Sequence, residues 1–256
     1  MKPPICCTPK QLPQNRWVEA AAKARSINPV NHPPIERLVR VMPGFAPDAM
    51  RLAVLTTKYW KAGKVRLTVA FLDKAPAALR TRILGHMNAW AKSANVRFVQ
   101  TKTDPQVRIA RAPDGYWSYI GTDILLIKRN EATMNLEAFT MQTPESEFRR
   151  VVRHETGHTM GFPHEHMRKE LVDLIDRAKA MAYFGETQGW SPEEVQAQVL
   201  TPLEEASLLG TPQADMTSIM CYQIPGTITK SGYPITGGRD INKQDYEFSG
   251  KVYPKA

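Results

Sequence analysis

The sequence has few cysteines, no long apolar run and no evenly spread charge, and each of these absences excludes a class of protein. Its 256 residues include three cysteines, which are too few for a disulfide framework and leave at least one thiol unpaired in a monomer. No stretch approaches about 18 consecutive apolar residues, so we expect no membrane-spanning helix. The first residues also lack the apolar core of a secretory signal peptide.

The positive charge is concentrated at the N-terminal end of the chain. The net charge is +9, yet residues 1–70 contain 12 Lys and Arg against 3 Asp and Glu, whereas residues 71–256 contain 22 of each. A protein that binds nucleic acid over its whole surface would be basic throughout. We therefore expect no nucleic-acid partner, although polyanion binding by the basic end stays open as an alternative.

The histidines are clustered rather than spread. Four of the six fall between His154 and His166, and the first eleven residues of this stretch read H-E-x-x-H-x-x-G-x-x-H. Residues four apart on a helix share a face, so His154 and His158 can direct two imidazoles at one ion. Gly161 suits a sharp turn after the helix, which would bring His164 in as the third ligand. Three protein ligands and one open position are typical of one catalytic Zn²⁺.

Glu155 lies next to the first ligand and is predicted to be the general base. A zinc ion in such a site lowers the pKa of bound water to about 7, and the carboxylate would take the water's proton as it attacks a peptide carbonyl. The motif therefore predicts a zinc-dependent endopeptidase acting on protein or peptide substrates.

The remaining pattern predicts an α+β fold. The alternation of Val65–Phe71 predicts a strand, and a helix with its N-cap at Thr143 and Pro144 in its first position is expected to end at Gly161. Further strands are predicted at 96–99, 107–110, 115–121 and 124–127, and C-terminal helices at 171–184 and 192–203. The strand nearest the active-site helix is predicted to be a sheet edge that binds substrate through four residues: Thr133, Met134, Asn135 and Leu136.

A second motif narrows the family. Residues 218–222 read Ser-Ile-Met-Cys-Tyr, about 56 residues after His164. Together with the zinc motif and the Gly-Tyr-Trp-Ser-Tyr-Ile-Gly stretch at 115–121, this turn resembles the astacin-like metzincin metalloproteases, in particular their bacterial and fungal members. The resemblance covers roughly residues 50–256.

The resemblance implies a metzincin fold, with a twisted mixed sheet and backing and active-site helices up to about residue 161. A mostly helical and irregular C-terminal subdomain would follow at 162–256. It also implies that Met220 lies beneath the zinc ligands, that Tyr222 acts as a switchable fifth ligand and stabilises the oxyanion, and that Glu165 ties down a mature N-terminus. The family resemblance favours an extracellular monomer.

The chain departs from the animal members of that family at three places. Lys169, Glu170 and Leu171 follow Arg168 where those proteins have Asp-Arg-Asp, their paired cysteines are absent, and Cys221 replaces the usual histidine of the turn. A metzincin fold kept for adhesion or inhibition is therefore a rival hypothesis. Proteins of that kind usually lose the glutamate or a ligand, and both are present here.

Residues 1–44 hold eight of the twenty prolines and are predicted to be a basic extension of the catalytic domain at 45–256. Only 17–24 offers a short helical stretch, so the extension is predicted to be extended or loosely packed. Two interpretations stay open: a pro-segment or lid over the active-site cleft, or a solvated tail or brace behind the domain. Because a thiolate binds zinc well, Cys6 or Cys7 could fill the open metal position and keep the enzyme latent.

Overall fold

A five-stranded mixed sheet forms the N-terminal half of the domain. The computed structural model describes residue 7 and residues 10–33, 49–61, 63–202 and 214–255. Its strands are β1 (Val65–Phe71), β2 (Val96–Gln100), β3 (Val107–Ala110), β4 (Tyr116–Ser118) and β5 (Met134–Leu136). Their order is β2-β1-β3-β5-β4, with β4 antiparallel to β5 and the other pairs parallel. No helix of the described ranges is long and apolar enough to cross a membrane.

The strand β5 lies inside the sheet, between β3 and β4, and β4 is the edge. The prediction of a substrate-binding edge is therefore wrong for the four residues to which it was assigned: Thr133, Met134, Asn135 and Leu136. All four are at most 1 % exposed. The physical reason is that the chain turns back after β4 through a 3₁₀ helix at Gly121–Leu126, which also replaces the strand predicted at 124–127, and inserts β5 between its neighbours.

The active-site helix, α4, has three parts: Glu145–Glu147, a π-helical turn at Phe148–Val152, and Arg153–Thr159. The predicted N-cap at Thr143 is wrong by one residue, since Pro144 occupies the cap and the Thr143 hydroxyl accepts a hydrogen bond from Thr140 N instead. Gly161 follows with φ of +99°. A Cβ there would also lie 3.0 Å from the Lys58 carbonyl oxygen, so the turn requires glycine.

Three other helices belong to the N-terminal half: α1 (Trp17–Ile27), α2 (Ala49–Leu55) and α3 (Ala77–Met87). The C-terminal half holds α5 (Lys169–Val172), α6 (Arg177–Gln188), α7 (Pro192–Val195, continued by a π-helical turn at Gln196–Leu200) and α8 (Lys243–Val252). The helix predicted at 171–184 is broken after Val172, because the Asp176 side chain caps a new helix by accepting from Lys179 N. Ser191 forms the capping box of α7, as the sequence predicted.

The N-terminal segment 10–33 packs firmly on the domain, against the expectation of loose packing. The helix predicted at 17–24 is present and runs on to Ile27. Asn31 is 1 % exposed, donates to the Ala24 and Tyr59 carbonyls, and accepts from Tyr59 N and the Thr57 hydroxyl. Four hydrogen bonds at one buried amide fix the segment in place. Residues 34–48 lie outside the described ranges, so the domain boundary at 44 stays a prediction.

Candidate metal centre

Three histidine side chains converge where α4 ends. His154 and His158 lie one turn apart on the helix, and His164 approaches from beyond the turn at Gly161. The Nε2 atom of His164 is 3.1 Å from Nε2 of His154 and 3.0 Å from Nε2 of His158. The three residues are at most 8 % exposed. The spacing of the motif therefore brings together the three predicted ligands at one buried point.

The hydrogen bonds of two of these rings leave lone pairs at that point. Nδ1 of His154 is 2.6 Å from the Ile219 carbonyl oxygen, and Nδ1 of His158 is 2.7 Å from that of Phe162. Burial lowers the pKa of His154 to about 4 and that of His158 well below its usual value, so both rings are neutral. A neutral ring that donates from Nδ1 carries its lone pair on Nε2.

Lone pairs this close together repel unless a cation lies between them. Tetrahedral zinc at its usual 2.0–2.1 Å from nitrogen separates its ligands by roughly 3.3 Å, near the separations seen among these three rings. The donor set therefore fits one Zn²⁺, with His154, His158 and His164 as the residues that would hold it.

Glu155 is held beside the ligands and in contact with the N-terminal segment. Its side chain is 1 % exposed, and burial raises its pKa to about 8. The Cys7 thiol donates to Glu155 Oε2 at 3.3 Å. Cys7 Sγ and one nitrogen from each of the three histidines also lie within 4.8 Å of one another. Cys7 is therefore a fourth donor within reach of the same ion, while Cys6 lies outside the described residues.

The same N-terminal segment lies along the edge strand β4. Cys7 forms a parallel bridge with Tyr116, and Lys10 forms one with Tyr119. The backbone N–H of Lys10 donates to the Ser118 carbonyl at 3.2 Å. The edge at which an extended peptide could add a strand is thus covered by the chain's own N-terminal residues.

The turn at 218–222 packs against the helix that carries two of the histidines. Met220 is 4 % exposed, and a Cβ at position 157 would collide with its sulfur, so Gly157 lets the methionine approach the helix backbone. Asp245 holds the turn by accepting from the Ser218 hydroxyl at 2.6 Å and from Ile219 N at 3.0 Å. The turn thereby gives the histidine cluster a fixed support.

Glu165 connects the third histidine to this turn. Its backbone N–H donates to the Met220 carbonyl at 2.9 Å, and its carboxylate accepts from Asp215 N at 3.1 Å and from Arg168 at 3.4 Å. Burial raises its pKa to about 7. These contacts give Glu165 a structural role in this chain, and the role toward a mature N-terminus stays a prediction.

Tyr222 lies between two imidazole rings at the side of the cleft. Its ring centroid is 4.2 Å from that of His164 and 4.1 Å from that of His166, and it is 5 % exposed. Sequence reasoning gave His166 no role, and the one available signal was a further histidine two residues after a ligand. Cys221 is buried beside the turn, as predicted, and burial raises the pKa of its thiol.

A cleft of about 320 Å³ opens beside these residues. Glu155 and His154 line one side, Tyr222 another, and Tyr116 comes from the edge strand. Cys7 reaches into the same space. The arrangement combines a buried carboxyl, a phenol and a strand edge around one candidate metal site, which is what hydrolysis of an extended peptide needs.

Comparison with known families identifies the fold. The sequence model of the peptidase family described as Astacin matches residues 53–234. Zinc metalloproteinase nas-27 of Caenorhabditis elegans is 29 % identical over 126 residues, which are 49 % of this chain and 27 % of that protein. The match therefore spans about a quarter of that relative's length.

Solved structures agree with this assignment. A structure of myroilysin superposes with a TM-score of 0.73 at 29 % identity, covering 78 % of this chain and 97 % of that one. A second myroilysin crystal structure gives 0.59 at 30 % identity, covering 77 % and 86 %. The medaka (Oryzias latipes) high choriolytic enzyme 1, a hatching enzyme zinc-protease, gives 0.54 at 18 % identity over 78 % and 96 %, a likeness of fold alone.

Proposed function

Because the chain belongs to the astacin family of zinc metalloproteases, we propose that it is an endopeptidase that hydrolyses peptide bonds with one zinc ion and Glu155 as general base. The observation that carries the proposal is the convergence of three buried imidazoles beside a buried carboxyl group. The ion, when bound, lowers the pKa of water to about 7 and polarises the scissile carbonyl.

Glu155 handles the protons of the reaction. Its carboxylate takes a proton from the attacking water and returns it to the leaving amine, which needs a basic group held still beside the reacting atoms. Burial to 1 % exposure raises the basicity of this carboxylate, because the charged form is poorly solvated. Glu155 is not among the ligand histidines and is free to exchange protons.

The substrate is proposed to add to the edge of β4. Tyr116–Ser118 is the last strand of the sheet, and Tyr116 also lines the cleft. Pairing through the backbone recognises the middle of a peptide rather than its ends, which accounts for endopeptidase rather than exopeptidase activity.

Metal removal tests the function as a whole. With Cys7→Ala in the full chain, cleavage of casein should stop when a chelator is added and return when zinc is restored, because the water loses its activation without the ion. Mass spectrometry of a peptide library with and without chelator would give the cleavage preference and any self-processing near residue 44. Cleavage that persists in the metal-free protein, with circular dichroism unchanged, would contradict the proposal and favour a non-catalytic metal site.

Tyr222→Phe tests the oxyanion role. Removing the hydroxyl takes away a donor that faces the developing charge, so kcat/KM should fall by roughly 10²-fold while zinc stays bound at one ion per chain. The matched control is Tyr233→Phe, at a tyrosine that is 79 % exposed on the surface, and it should leave the rate unchanged. An unaltered rate for Tyr222→Phe would remove Tyr222 from the mechanism.

The N-terminal extension is proposed to be a latency segment. Cys7 contacts the general base and lies within reach of the metal ligands, and the residues after it cover the β4 edge. Both the open metal position and the strand-addition edge are thus taken by residues 7 and 10. Of the two interpretations of residues 1–44, these contacts support the pro-segment.

A further inference from the structure

One buried histidine beside the metal centre has no part in the mechanism above. His166 is fully buried, and its ring does not face the point where His154, His158 and His164 converge. Instead it lies on the far side of Tyr222, with the two ring centroids 4.1 Å apart and the ring planes 16° from parallel. A parallel stack at this distance is the closest of the aromatic contacts around the site.

The stack places Tyr222 between two imidazoles that do different things. His164 contacts the phenol ring at 4.2 Å with its plane tilted by 48°, and it is proposed to hold the metal. His166 contacts the opposite side and is parallel to the ring. A ring confined on both sides can neither rotate about its Cα–Cβ bond nor swing away without breaking one of these contacts. The direction of the Tyr222 hydroxyl is therefore set by both neighbours.

His166 is itself anchored from a separate part of the fold. Its Nε2 lies 3.0 Å from the carbonyl oxygen of Gln198, in the π-helical turn that continues α7. That turn is held in the second hydrophobic core by Val195 and Val199, which are fully buried. The imidazole N–H thus connects the ring to a packed backbone. Its Nδ1 has no hydrogen-bond partner within the described residues, so Gln198 alone supplies its polar anchor.

Both parts of the imidazole are used. A phenylalanine would keep the flat face and lose the anchor, a glutamine would keep a donor and lose the face, and an alanine would lose both. The neighbouring residues Glu165 and Met167 do not offer either contact, since Glu165 faces Asp215 and Arg168.

We propose that His166 is a positioning residue that fixes the Tyr222 ring, so that its hydroxyl is directed at the oxyanion during catalysis. The inference rests on the proposed function of Tyr222 and names the residue through which the C-terminal subdomain contributes to it. His166 touches neither substrate nor metal, and its effect on the reaction passes through the phenol.

A double-mutant cycle tests this in the full chain carrying Cys7→Ala. His166→Ala should lower kcat, with KM within about twofold, to a rate approaching that of Tyr222→Phe. In the Tyr222→Phe background the same change should cost less than about twofold, because the hydroxyl that it positions is already gone. An equal loss in both backgrounds would overturn the proposal, since a merely structural role would not depend on the phenol.

Conservative variants keep the test decisive if alanine disturbs folding. His166→Phe preserves the stack and should retain the rate within about fivefold, whereas His166→Gln should resemble the alanine variant. Full activity of His166→Gln would contradict the positioning role. The matched control is His86→Ala, at a buried histidine whose ring lies 5.3 Å from Phe148, away from Tyr222. Any loss there should be the same with and without Tyr222→Phe.

A spectroscopic readout separates this inference from the proposed function. Fluorotyrosine placed at position 222 should give one sharp ¹⁹F resonance, which shifts and broadens in His166→Ala as the ring gains freedom. If Tyr222→Phe retains full activity but this resonance still depends on His166, the catalytic assignment of the tyrosine fails while the positioning contact stands. A resonance that does not respond to His166→Ala would refute the positioning itself.

Discussion

Glu155→Gln is expected to abolish most of the peptidase activity while leaving the metal in place. General bases contribute roughly 10²- to 10⁴-fold to such reactions, so kcat/KM in the Cys7→Ala chain should fall by that factor. Glutamine has the shape of glutamate but cannot accept a proton at neutral pH. Because the three ligand histidines are unchanged, zinc should remain at one ion per chain by atomic emission.

Stability provides the first control for this result. Glu155 is 1 % exposed, and a neutral amide avoids the cost of desolvating a carboxylate, so the thermal midpoint should not fall. Glu186→Gln is the matched substitution at an exposed position of α6 and should retain full activity. A Glu155→Gln chain that is folded, zinc-loaded and nearly as active as its parent would show that another group takes the proton.

The local pattern of the sequence predicted the convergence of three histidines because their geometry is local. His154 and His158 need only one helical turn between them, and His164 needs only the left-handed turn that Gly161 supplies. The placement of Met220 follows similarly from a short turn motif. None of these positions depends on how distant strands are ordered.

The edge strand could not be predicted in the same way. β4 and β5 are both short and both apolar, and the sequence does not say which one the returning chain places inside. That choice depends on the turn at Gly121–Leu126 and on the Asn135 amide, which donates to two carbonyls of the β3–β4 connection. Such contacts join residues about 20 positions apart, beyond the range of periodicity.

The N-terminal extension shows the same limit. Its proline content favoured a loosely packed segment, yet Asn31 and Asn28 place buried amides on the Tyr59 and Trp60 carbonyls. Single polar residues with specific partners leave no periodic signal in a sequence. The stacking of His166 on Tyr222 also joins distant positions, and only the folded chain brings them together.

Cys7→Ala is expected to turn a latent protein into an active one. If the thiolate blocks the site in about 99 % of molecules, removing it raises the rate of peptide cleavage about 100-fold, because activity follows the open fraction. The pairing of Lys10 with β4 remains in this variant, and the Lys10 ammonium still lies 4.9 Å from the Trp117 ring. The gain should therefore appear mainly in kcat/KM, with substrate still competing for the strand edge.

Spectroscopy should report the cause of latency independently of activity. In the cobalt-substituted wild-type chain, a sulfur ligand gives a charge-transfer absorption in the near ultraviolet, and Cys7→Ala should lose it. Cys6→Ala is the matched control, a thiol removed one position earlier, and should keep both the absorption and the latency. If Cys6→Ala instead activates the chain, the neighbouring thiol is the blocking ligand.

Activation must also overcome the anchoring of the segment that carries Cys7. The four hydrogen bonds of Asn31 and the packing of α1 hold residues 10–33 on the domain, so a cut near residue 44 alone would leave the thiol at the site. We therefore expect the wild-type chain to stay inactive after such a cut until the thiol is alkylated or the segment is removed. A cut chain with the rate of Cys7→Ala would show that the anchor releases by itself and that the covalent connection alone maintains latency.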